Sequence, residues 1–264
     1  MIAAEAVSVT FNRGTPMETP ALRGLDLKIP AGQFVTVIGS NGAGKSTLLN
    51  ALTGDVKLMG GRVVVDGADV TGWPPPRRAG LVARVFQDPM AGSCADLSIE
   101  ENLSLAGARG RRRGLARAID RKRRAEFRQR LTLLGLGLEN RLGDRMGLLS
   151  GGQRQAVSLV MATLQPMKIL LLDEHTAALD PKTAEFVLEL TQRIVTEKQL
   201  TTLMVTHSMR QALDYGDRTV MLHEGRVVFD VAGAARKGLD VPDLLALFAR
   251  QRGGVLTDDS LLLG

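Results

Sequence analysis

The chain has few aromatic residues and almost no cysteine. Aromatic residues make up 3% of its 264 residues, and Cys94 is the single cysteine. Few rings mean few platforms on which the bases of a nucleic acid could stack. One cysteine excludes an internal disulfide framework and is typical of a reducing compartment. The 44% of hydrophobic residues can instead supply a sizeable buried core.

Long apolar runs are also missing. No run approaches the roughly 18 residues that a membrane span requires, and the N-terminus has no basic region followed by an apolar core, as a signal peptide would. We expect a chain that is soluble, or attached to a membrane only through a partner. The length fits one large α/β domain or a domain with a subdomain, and no internal repeat suggests a fused pair.

A phosphate-binding pattern is present near the N-terminus. The pattern G-x-x-x-x-G-K-[ST] is filled without a gap by Gly39, Ser40, Asn41, Gly42, Ala43, Gly44, Lys45, Ser46 and Thr47. Glycines let backbone N–H groups turn inward around a phosphate chain. Lys45 can reach the β- and γ-phosphates, and the Ser46 hydroxyl can ligate Mg²⁺. An apolar run before the loop predicts a strand, and the helix predicted after it directs its positive end at the phosphates.

The pattern of apolar residues predicts an α/β fold around this loop. Alternating stretches at residues 7–11, 25–29, 61–67 and 83–87 are typical of half-exposed antiparallel strands. Short apolar runs at 169–172 and 203–206 are suited to buried parallel strands. Between them, Asp180 and Pro181 predict the start of a helix that runs to Lys198. A hairpin over 219–230 should turn at Glu224 and Gly225, whereas residues 73–76, rich in proline, should form a surface connection.

The region from 98 to 149 has a helical pattern. One apolar stripe is formed by Ala116, Ile119, Arg123, Phe127, Leu131 and Leu134, at spacings of three and four. We therefore predict an α/β P-loop NTPase core with a mostly parallel sheet, an N-terminal antiparallel β subdomain and an inserted helical subdomain. The predicted boundaries are 1–97 and 150–235 for the sheet core, 98–149 for the helical subdomain, and 236–264 for a C-terminal helix and tail.

Two further motifs are candidates for chemistry. Asp173 and Glu174 follow an apolar strand; Asp173 suits an outer-shell Mg²⁺ contact and Glu174 suits polarising an attacking water. The alternative is that both acids are simply solvated at the strand end. Ser150, Gly151, Gly152 and Gln153 precede a helix and form a second anion-binding terminus. A phosphate held by the P-loop of another copy explains that terminus; an ordinary serine-capped helix is the alternative.

In order and spacing these motifs resemble the ATP-binding-cassette (ABC) ATPases, from about Val7 to Asp230. The resemblance implies a head-to-tail dimer that encloses two ATP molecules. It implies that Lys45, Ser46 and Thr47 bind phosphates and Mg²⁺, and that the serine–glycine stretch from Ser150 to Gln153 contacts the γ-phosphate from the opposite subunit.

Several single residues gain roles from the same resemblance. Glu174 matches the general base, His207 a switch residue that touches the γ-phosphate, and Gln87 the glutamine that senses Mg²⁺ and the γ-phosphate. Asp180 matches a loop that signals between the two sites. Phe11 is the candidate for stacking on adenine, although a role as a core residue is equally open. His175 stands where the family often has proline; we interpret it as structural, with an effect on local loop shape only, and we interpret His223 as structural too.

The resemblance is closest to bacterial importers. It implies integral-membrane permease subunits, a homodimer or a pairing with a paralogue, an extracytoplasmic substrate-binding protein, and a peripheral position on the cytoplasmic face of the membrane. Residues 87–103 are predicted to form the docking surface, with Cys94 as a packing residue. The resemblance to importer subunits favours amino-acid uptake as the transport function. The alternative is a soluble cassette ATPase that acts on nucleic acid or the ribosome, which copurification with an integral membrane protein would exclude.

The basic charge is confined to one segment. Eleven Lys or Arg residues between Arg109 and Arg130 stand against Asp120 and Glu126, a local charge of +9 within a net +6, so the rest of the chain carries −3. Three interpretations are open for this segment: a solvated helix face, a surface near anionic headgroups, or a nucleic-acid contact. We expect no nucleic-acid partner. Charge reversal at Arg111, Arg112 and Arg113 would test the headgroup interpretation.

Overall fold

The computed structural model describes residues 1–110 and 118–251, so the cluster at Arg111 to Arg113 and the end of the tail lie outside the described residues. Contacts divide the chain into two units. Residues 1–78 and the residues after 198 form the first, and residues 79–198 form the second. The subdomain boundaries given above stay a prediction. No helix in the described part of the chain combines the length and the apolar character that crossing a bilayer requires.

The described residues contain ten strands and nine α-helices. The strands are β1 (Ile2–Phe11), β2 (Thr19–Ile29), β3 (Phe34–Ile38), β4 (Gly60–Val65), β5 (Ala68–Asp69), β6 (Val82–Val85), β7 (Ile169–Asp173), β8 (Thr202–Val205), β9 (Arg218–His223) and β10 (Arg226–Ala232). The α-helices are α1 (Lys45–Thr53), α2 (Pro75–Arg78), α3 (Ile99–Gly107), α4 (Arg121–Thr132), α5 (Gly151–Ala162), α6 (Pro181–Glu197), α7 (Met209–Asp214), α8 (Gly233–Lys237) and α9 (Val241–Gln251).

The first unit begins with an antiparallel sheet in the order β2-β1-β4-β5. Alternate side chains of β2 are buried from Leu25 to Ile29, because successive residues of a strand point to opposite faces. Phe11 pairs directly with Thr19. Residues 12–18 therefore form the connection between β1 and β2.

The strands that the first unit contributes to the second sheet have the order β10-β9-β3-β8. β3 is parallel to both β8 and β9, and every residue of β3 and β8 is buried, as predicted for strands covered on both faces. β9 and β10 form the predicted hairpin. Glu224 and Gly225 have φ values of 45° and 75°, the positive values that a tight two-residue hairpin turn needs.

The second unit contains the parallel pair β6 and β7 together with α3 to α6. The sequence pattern at 83–87 suggested an antiparallel strand, and this was wrong, because β6 runs parallel to β7. With this exception the predicted α/β class, with an antiparallel N-terminal sheet, parallel strands and a helical region after β6, is confirmed.

Helix boundaries differ from the predicted ones where capping residues set them. α4 begins at Arg121 because the Asp120 side chain accepts a hydrogen bond from the Arg123 N–H. Ile119 therefore lies before the helix, and Ala116 lies outside the described residues; Phe127 and Leu131 form the buried stripe. α6 starts as predicted, with Asp180 as the cap and Pro181 in the first turn.

The proline-rich connection lies at the surface, as predicted, but it contains one helical turn that was not predicted. Pro75 begins α2, a single turn in which the fixed φ of proline suits the first helical position. The guanidinium carbon of Arg77 lies 3.7 Å from the centre of the Trp73 ring, a cation–π contact that holds this turn.

Candidate functional site

The phosphate-binding loop follows directly after the buried strand β3. α1 starts at Lys45 after Gly44, whose φ is 102°. A Cβ atom at Gly39 would lie 2.3 Å from the Leu222 carbonyl oxygen, and one at Gly44 would lie 2.6 Å from the Ala21 carbonyl oxygen. Both contacts are with backbone, which cannot give way cheaply. Glycine is therefore required at both ends of the loop.

Lys45 is held over the loop that precedes it. Its Nζ donates to the carbonyl oxygens of Gly39 at 2.7 Å and Ser40 at 3.2 Å, and the side chain is buried. The ammonium group is thus held against the backbone of the loop, so a phosphate bound there would meet a positioned charge. Ser46 is exposed at the same helix start, which leaves its hydroxyl accessible to a ligand.

The β9–β10 turn supports the phosphate-binding loop. The Gly225 N–H donates to the Ala43 carbonyl at 3.0 Å, and the Gly225 carbonyl accepts from the Arg23 N–H at 3.0 Å. A Cβ at Gly225 would lie 2.6 Å from the Ala21 carbonyl oxygen. The sequence analysis assigned this glycine to a turn and missed its contact with the loop, for which the sequence carries no local signal.

His207 lies at the same edge of the sheet as the loop. β8 is parallel to β3 with Val205 opposite Val37, and the Thr206 N–H donates to the Val37 carbonyl at 3.1 Å. The loop and His207 follow the same ends of neighbouring strands, and His207 is exposed there. The first unit therefore brings together these two predicted parts of the site.

In the second unit, β7 ends in the two predicted acids. An Asp173 carboxylate oxygen accepts a hydrogen bond from Arg84 Nη2 at 2.5 Å, and the two side chains are only 13% and 12% exposed. Glu174 has a φ of 42°, a left-handed conformation that costs an L-residue about 1–2 kcal/mol. Asp173 is thus paired and half-buried, and the alternative of simply solvated acids does not describe it.

His175, which follows these two acids in the chain, is buried. It is 2% exposed, and its Nε2 lies 3.1 Å from the Thr191 hydroxyl on α6. Because that hydroxyl donates to the Val187 carbonyl, the histidine Nε2–H is the donor to Thr191. His175 is structural, as expected, but it anchors the end of β7 to α6 rather than shaping only its own loop.

Burial of His175 predicts a pH-dependent stability. Desolvation lowers the pKa of His175 from 6.5 to about 4, so the unfolded chain takes up a proton at a higher pH than the folded one. The stabilisation is complete above pH 6.5 and is lost as the pH falls towards 4. We expect His175 to account for a loss of about 2–3 kcal/mol in unfolding free energy between pH 7 and 4.5. Denaturant titrations of the wild type and His175→Gln measure it.

The control for that experiment is His223→Gln, in the first unit and not buried. It should keep the acid-dependent loss of the wild type, whereas His175→Gln should show a shallower loss. Equal slopes for His175→Gln and the wild type would contradict the assignment.

The serine–glycine stretch begins α5 with a capping box. The Ser150 hydroxyl accepts from the Gln153 N–H, and the Gln153 side chain accepts from the Ser150 N–H. The first N–H groups of such a helix have no partner within it. A Cβ at Gly152 would lie 2.1 Å from Thr183 Cγ2, so the close packing on α6 requires glycine. The helix is therefore serine-capped, as the alternative interpretation of the sequence stated. The cap does not exclude that the same helix start also binds an anion.

Asp180 lies next to this helix start because it caps α6 through Thr183. The hydroxyl and the backbone N–H of Thr183 both hydrogen-bond the Asp180 carboxylate and hold its pKa below the ordinary value. The start of α5 and the Asp180 loop therefore meet at Thr183. The second unit brings these two predicted site elements together.

Family membership follows from a sequence comparison that covers the phosphate-binding loop, the serine–glycine stretch and the acid pair. A family model described as ABC transporter matches residues 22–177. The chain belongs to the ABC transporter family.

Individual ABC proteins are similar over most of the chain. A tyrosine transport ATP-binding protein of Clostridioides difficile is 43% identical over 94% of this chain and 98% of its own length. The methionine import ATP-binding protein MetN of Caulobacter vibrioides is 35% identical over 97% of this chain and 74% of its own length. A solved dimeric structure of the ATP-binding cassette MJ0796, in a post-hydrolysis state with ADP and Pi, has a TM-score of 0.76 at 28% identity and covers 88% of this chain and 98% of that one.

These comparisons confirm that the chain is an ATP-binding, ATP-hydrolysing subunit of an ABC transporter with the predicted P-loop fold. They do not test the roles of single residues, and those roles stay predictions.

Two side chains of this ABC subunit were missed at the sequence level. Gln155 is fully buried on α5 and donates to the Phe86 carbonyl at 3.1 Å, which fixes the chain just before the exposed Gln87. The Arg154 guanidinium donates to three carbonyls between Met146 and Leu149 and holds the segment that leads into Ser150. Their only signal was a pair of polar residues in a helix that is otherwise largely apolar.

A groove of about 500 Å³ opens in the second unit between β6, α3 and α5. Phe86, Leu105 and Met161 give it apolar walls, and Arg84, Arg109 and Cys94 also line it. Cys94 is exposed, so its predicted role as a packing residue was wrong. The predicted docking segment thus forms part of a real concavity.

Phe11 is 40% exposed at the end of β1, which rules out its alternative role as a core residue. Its ring is accessible, and its contact with adenine stays a prediction.

The predicted Mg²⁺ ligands suit the chemistry of that ion. Within residues 1–110 and 118–251, no three His, Cys, Asp or Glu side chains group into a metal cluster. Mg²⁺ does not need one, because it commonly keeps waters and binds through one or two carboxylates and the substrate phosphates. The exposed Ser46 hydroxyl in the first unit and the Asp173 carboxylate in the second, already paired with Arg84, each offer the oxygen type that Mg²⁺ prefers.

Proposed function

We propose that this ABC subunit works as a homodimer, or with a paralogue, that encloses two Mg-ATP and drives a permease for the uptake of an amino acid. The proposal rests on the presence of two separate elements that are suited to binding phosphate. The first unit has the P-loop with its buried Lys45, and the second has the glycine-dependent start of α5. One triphosphate needs one P-loop, so the second element serves a nucleotide bound by the partner subunit.

The proposed chemistry assigns each group one task. Loop N–H groups and Lys45 bind the β- and γ-phosphates, while Ser150 and Gly152 of the partner subunit close over the γ-phosphate. Glu174 accepts the proton of the attacking water, and His207 and Gln87 contact the γ-phosphate. Ser46, Asp173 and Gln87 would hold Mg²⁺, which would supply positive charge against the phosphates. Phe11 supports the adenine, and Asp180 carries the state of one site to the other.

The groove is the proposed docking site for the permease. Apolar walls with a few charged residues suit a short amphipathic helix laid into a groove. A chain that docks in this way lies on the cytoplasmic face of the membrane. The lean towards amino acids rests on the name of the Clostridioides difficile relative, a tyrosine transport protein; an extracytoplasmic substrate-binding protein completes the proposed system.

Copurification tests this function. The chain is purified from the solubilised membranes of the cell that produces it, and the integral membrane protein captured with it is quantified. Leu105 lines the groove and is 45% exposed. Leu105→Asp should lower capture about tenfold or more, because a buried leucine contributes about 1.5–3 kcal/mol. ATP binding should persist.

The matched control is Leu133→Asp, in the same unit but outside the groove and 58% exposed. It should leave capture unchanged. A chain that recovers no membrane protein but binds RNA or ribosomes would favour the alternative, a soluble cassette ATPase, over the transporter.

A further inference from the structure

We propose that Arg84 is a positioning residue that orients Asp173 and limits how strongly Mg²⁺ and ATP reinforce each other's binding. The inference rests on the proposed function, because it takes Asp173 as the carboxylate next to Mg²⁺.

The ion pair is built into the second unit by strand register. Arg84 lies on β6 and Asp173 ends the parallel neighbour β7, with Arg84 opposite Leu171. The 2.5 Å contact joins Nη2 to one carboxylate oxygen. The Arg84 guanidinium carbon also lies 4.8 Å from the centre of the Phe86 ring. Strand register and ring therefore fix the guanidinium, and the guanidinium fixes one oxygen of Asp173.

Charge gives this contact an effect on nucleotide binding. The Arg84 guanidinium carries a positive charge, and at about 12% exposure water screens it only partly. In the proposed function Asp173 lies next to Mg²⁺, so the cation paired with Asp173 would act on the bound nucleotide. Free ATP carries about two more negative charges than Mg-ATP, and such a cation would therefore attract the free nucleotide more strongly. Arg84 thereby helps ATP bind without Mg²⁺ and lowers the gain that Mg²⁺ brings.

A purely structural role of Arg84 would give a different experimental result. If Arg84 only tied β6 to β7, its loss would weaken nucleotide binding equally with and without Mg²⁺. The ratio of the two dissociation constants separates these cases, because an overall loss of folded or accessible protein cancels in it.

The experiment uses the full chain without a permease, because Arg84 also lines the groove. The dissociation constant of a fluorescent ATP analogue is measured in EDTA and in excess Mg²⁺ for the wild type, Arg84→Lys and Arg84→Gln. We expect the EDTA-to-Mg²⁺ ratio to rise about three- to tenfold in Arg84→Gln. Arg84→Lys keeps the charge and should stay within about twofold of the wild type.

Two further variants serve as controls for this interpretation. Arg124→Gln breaks another arginine–carboxylate pair of the same unit, with Glu100, and should leave the ratio unchanged. In an Asp173→Asn background, Arg84→Gln should change the ratio by a different factor than in the wild type, since contacting residues couple. If Arg84→Gln proves unstable, Arg84→Met removes the same charge and is compared in the same two backgrounds.

An unchanged ratio in Arg84→Gln, or the same factor in both backgrounds, would overturn the inference. Failure of the proposed function would look different, since the wild type itself would then show no Mg²⁺-dependent binding of the analogue.

Discussion

Glu174→Gln should lower kcat for ATP hydrolysis by about 100-fold or more while ATP still binds. Glutamine keeps the size and a hydrogen-bonding oxygen of the side chain but cannot accept a proton, and general bases contribute about 10²–10⁴ to a rate. Hydrolysis reopens the proposed dimer, so the variant should accumulate as an ATP-bound dimer. Steady-state phosphate release and size-exclusion chromatography with Mg-ATP measure both effects.

Glu185→Gln is the control, because Glu185 is an exposed carboxylate on α6 in the same unit. It should behave like the wild type. A Glu174→Gln variant that stays monomeric with Mg-ATP and hydrolyses at the normal rate would remove Glu174 as the general base.

Ser150→Arg should abolish hydrolysis without weakening ATP binding to the monomer. Ser150 is exposed at the start of α5, where an arginine side chain would occupy the space that the proposed partner phosphate needs. Loss of the cap costs about 1 kcal/mol, too little to unfold a typical domain. Turnover, binding of a fluorescent ATP analogue and dimer formation in a Glu174→Gln background measure the three parts of this expectation.

The control is Asp120→Arg, which removes the cap of α4 in the same unit. A similar fall in stability with normal turnover would show that lost capping alone does not stop the enzyme. Unchanged hydrolysis in Ser150→Arg would disprove the role of the serine–glycine stretch in the partner's site.

Elements whose signals lie within a few consecutive residues could be predicted. The P-loop, the Asp180 cap with Pro181, and the turn at Glu224 and Gly225 all follow from local backbone requirements. Buried parallel strands were recognised because they are apolar without interruption. A local rule with two outcomes was less informative: proline both ends and begins helices, so the single turn of α2 within the proline-rich surface connection was not predicted.

Contacts between residues distant in sequence could not be predicted. Arg84 and Asp173 are 89 residues apart, and neither has a local pattern that names the other. The same holds for His175 with Thr191 and for Gln155 with Phe86. Cys94 shows the converse, because its exposure depends on the groove around it and not on its own residue type.

The sequence by itself determined the fold class, the family and the phosphate-binding loop. Glycine conformations, helix caps and the spacing of apolar residues each depend on only a few consecutive residues. The tertiary structure decided which groups support those motifs: the β9–β10 turn under the P-loop, the histidine behind the acids and the arginine on Asp173. These contacts depend on strand register and burial, which set distances and desolvation only once the chain has folded.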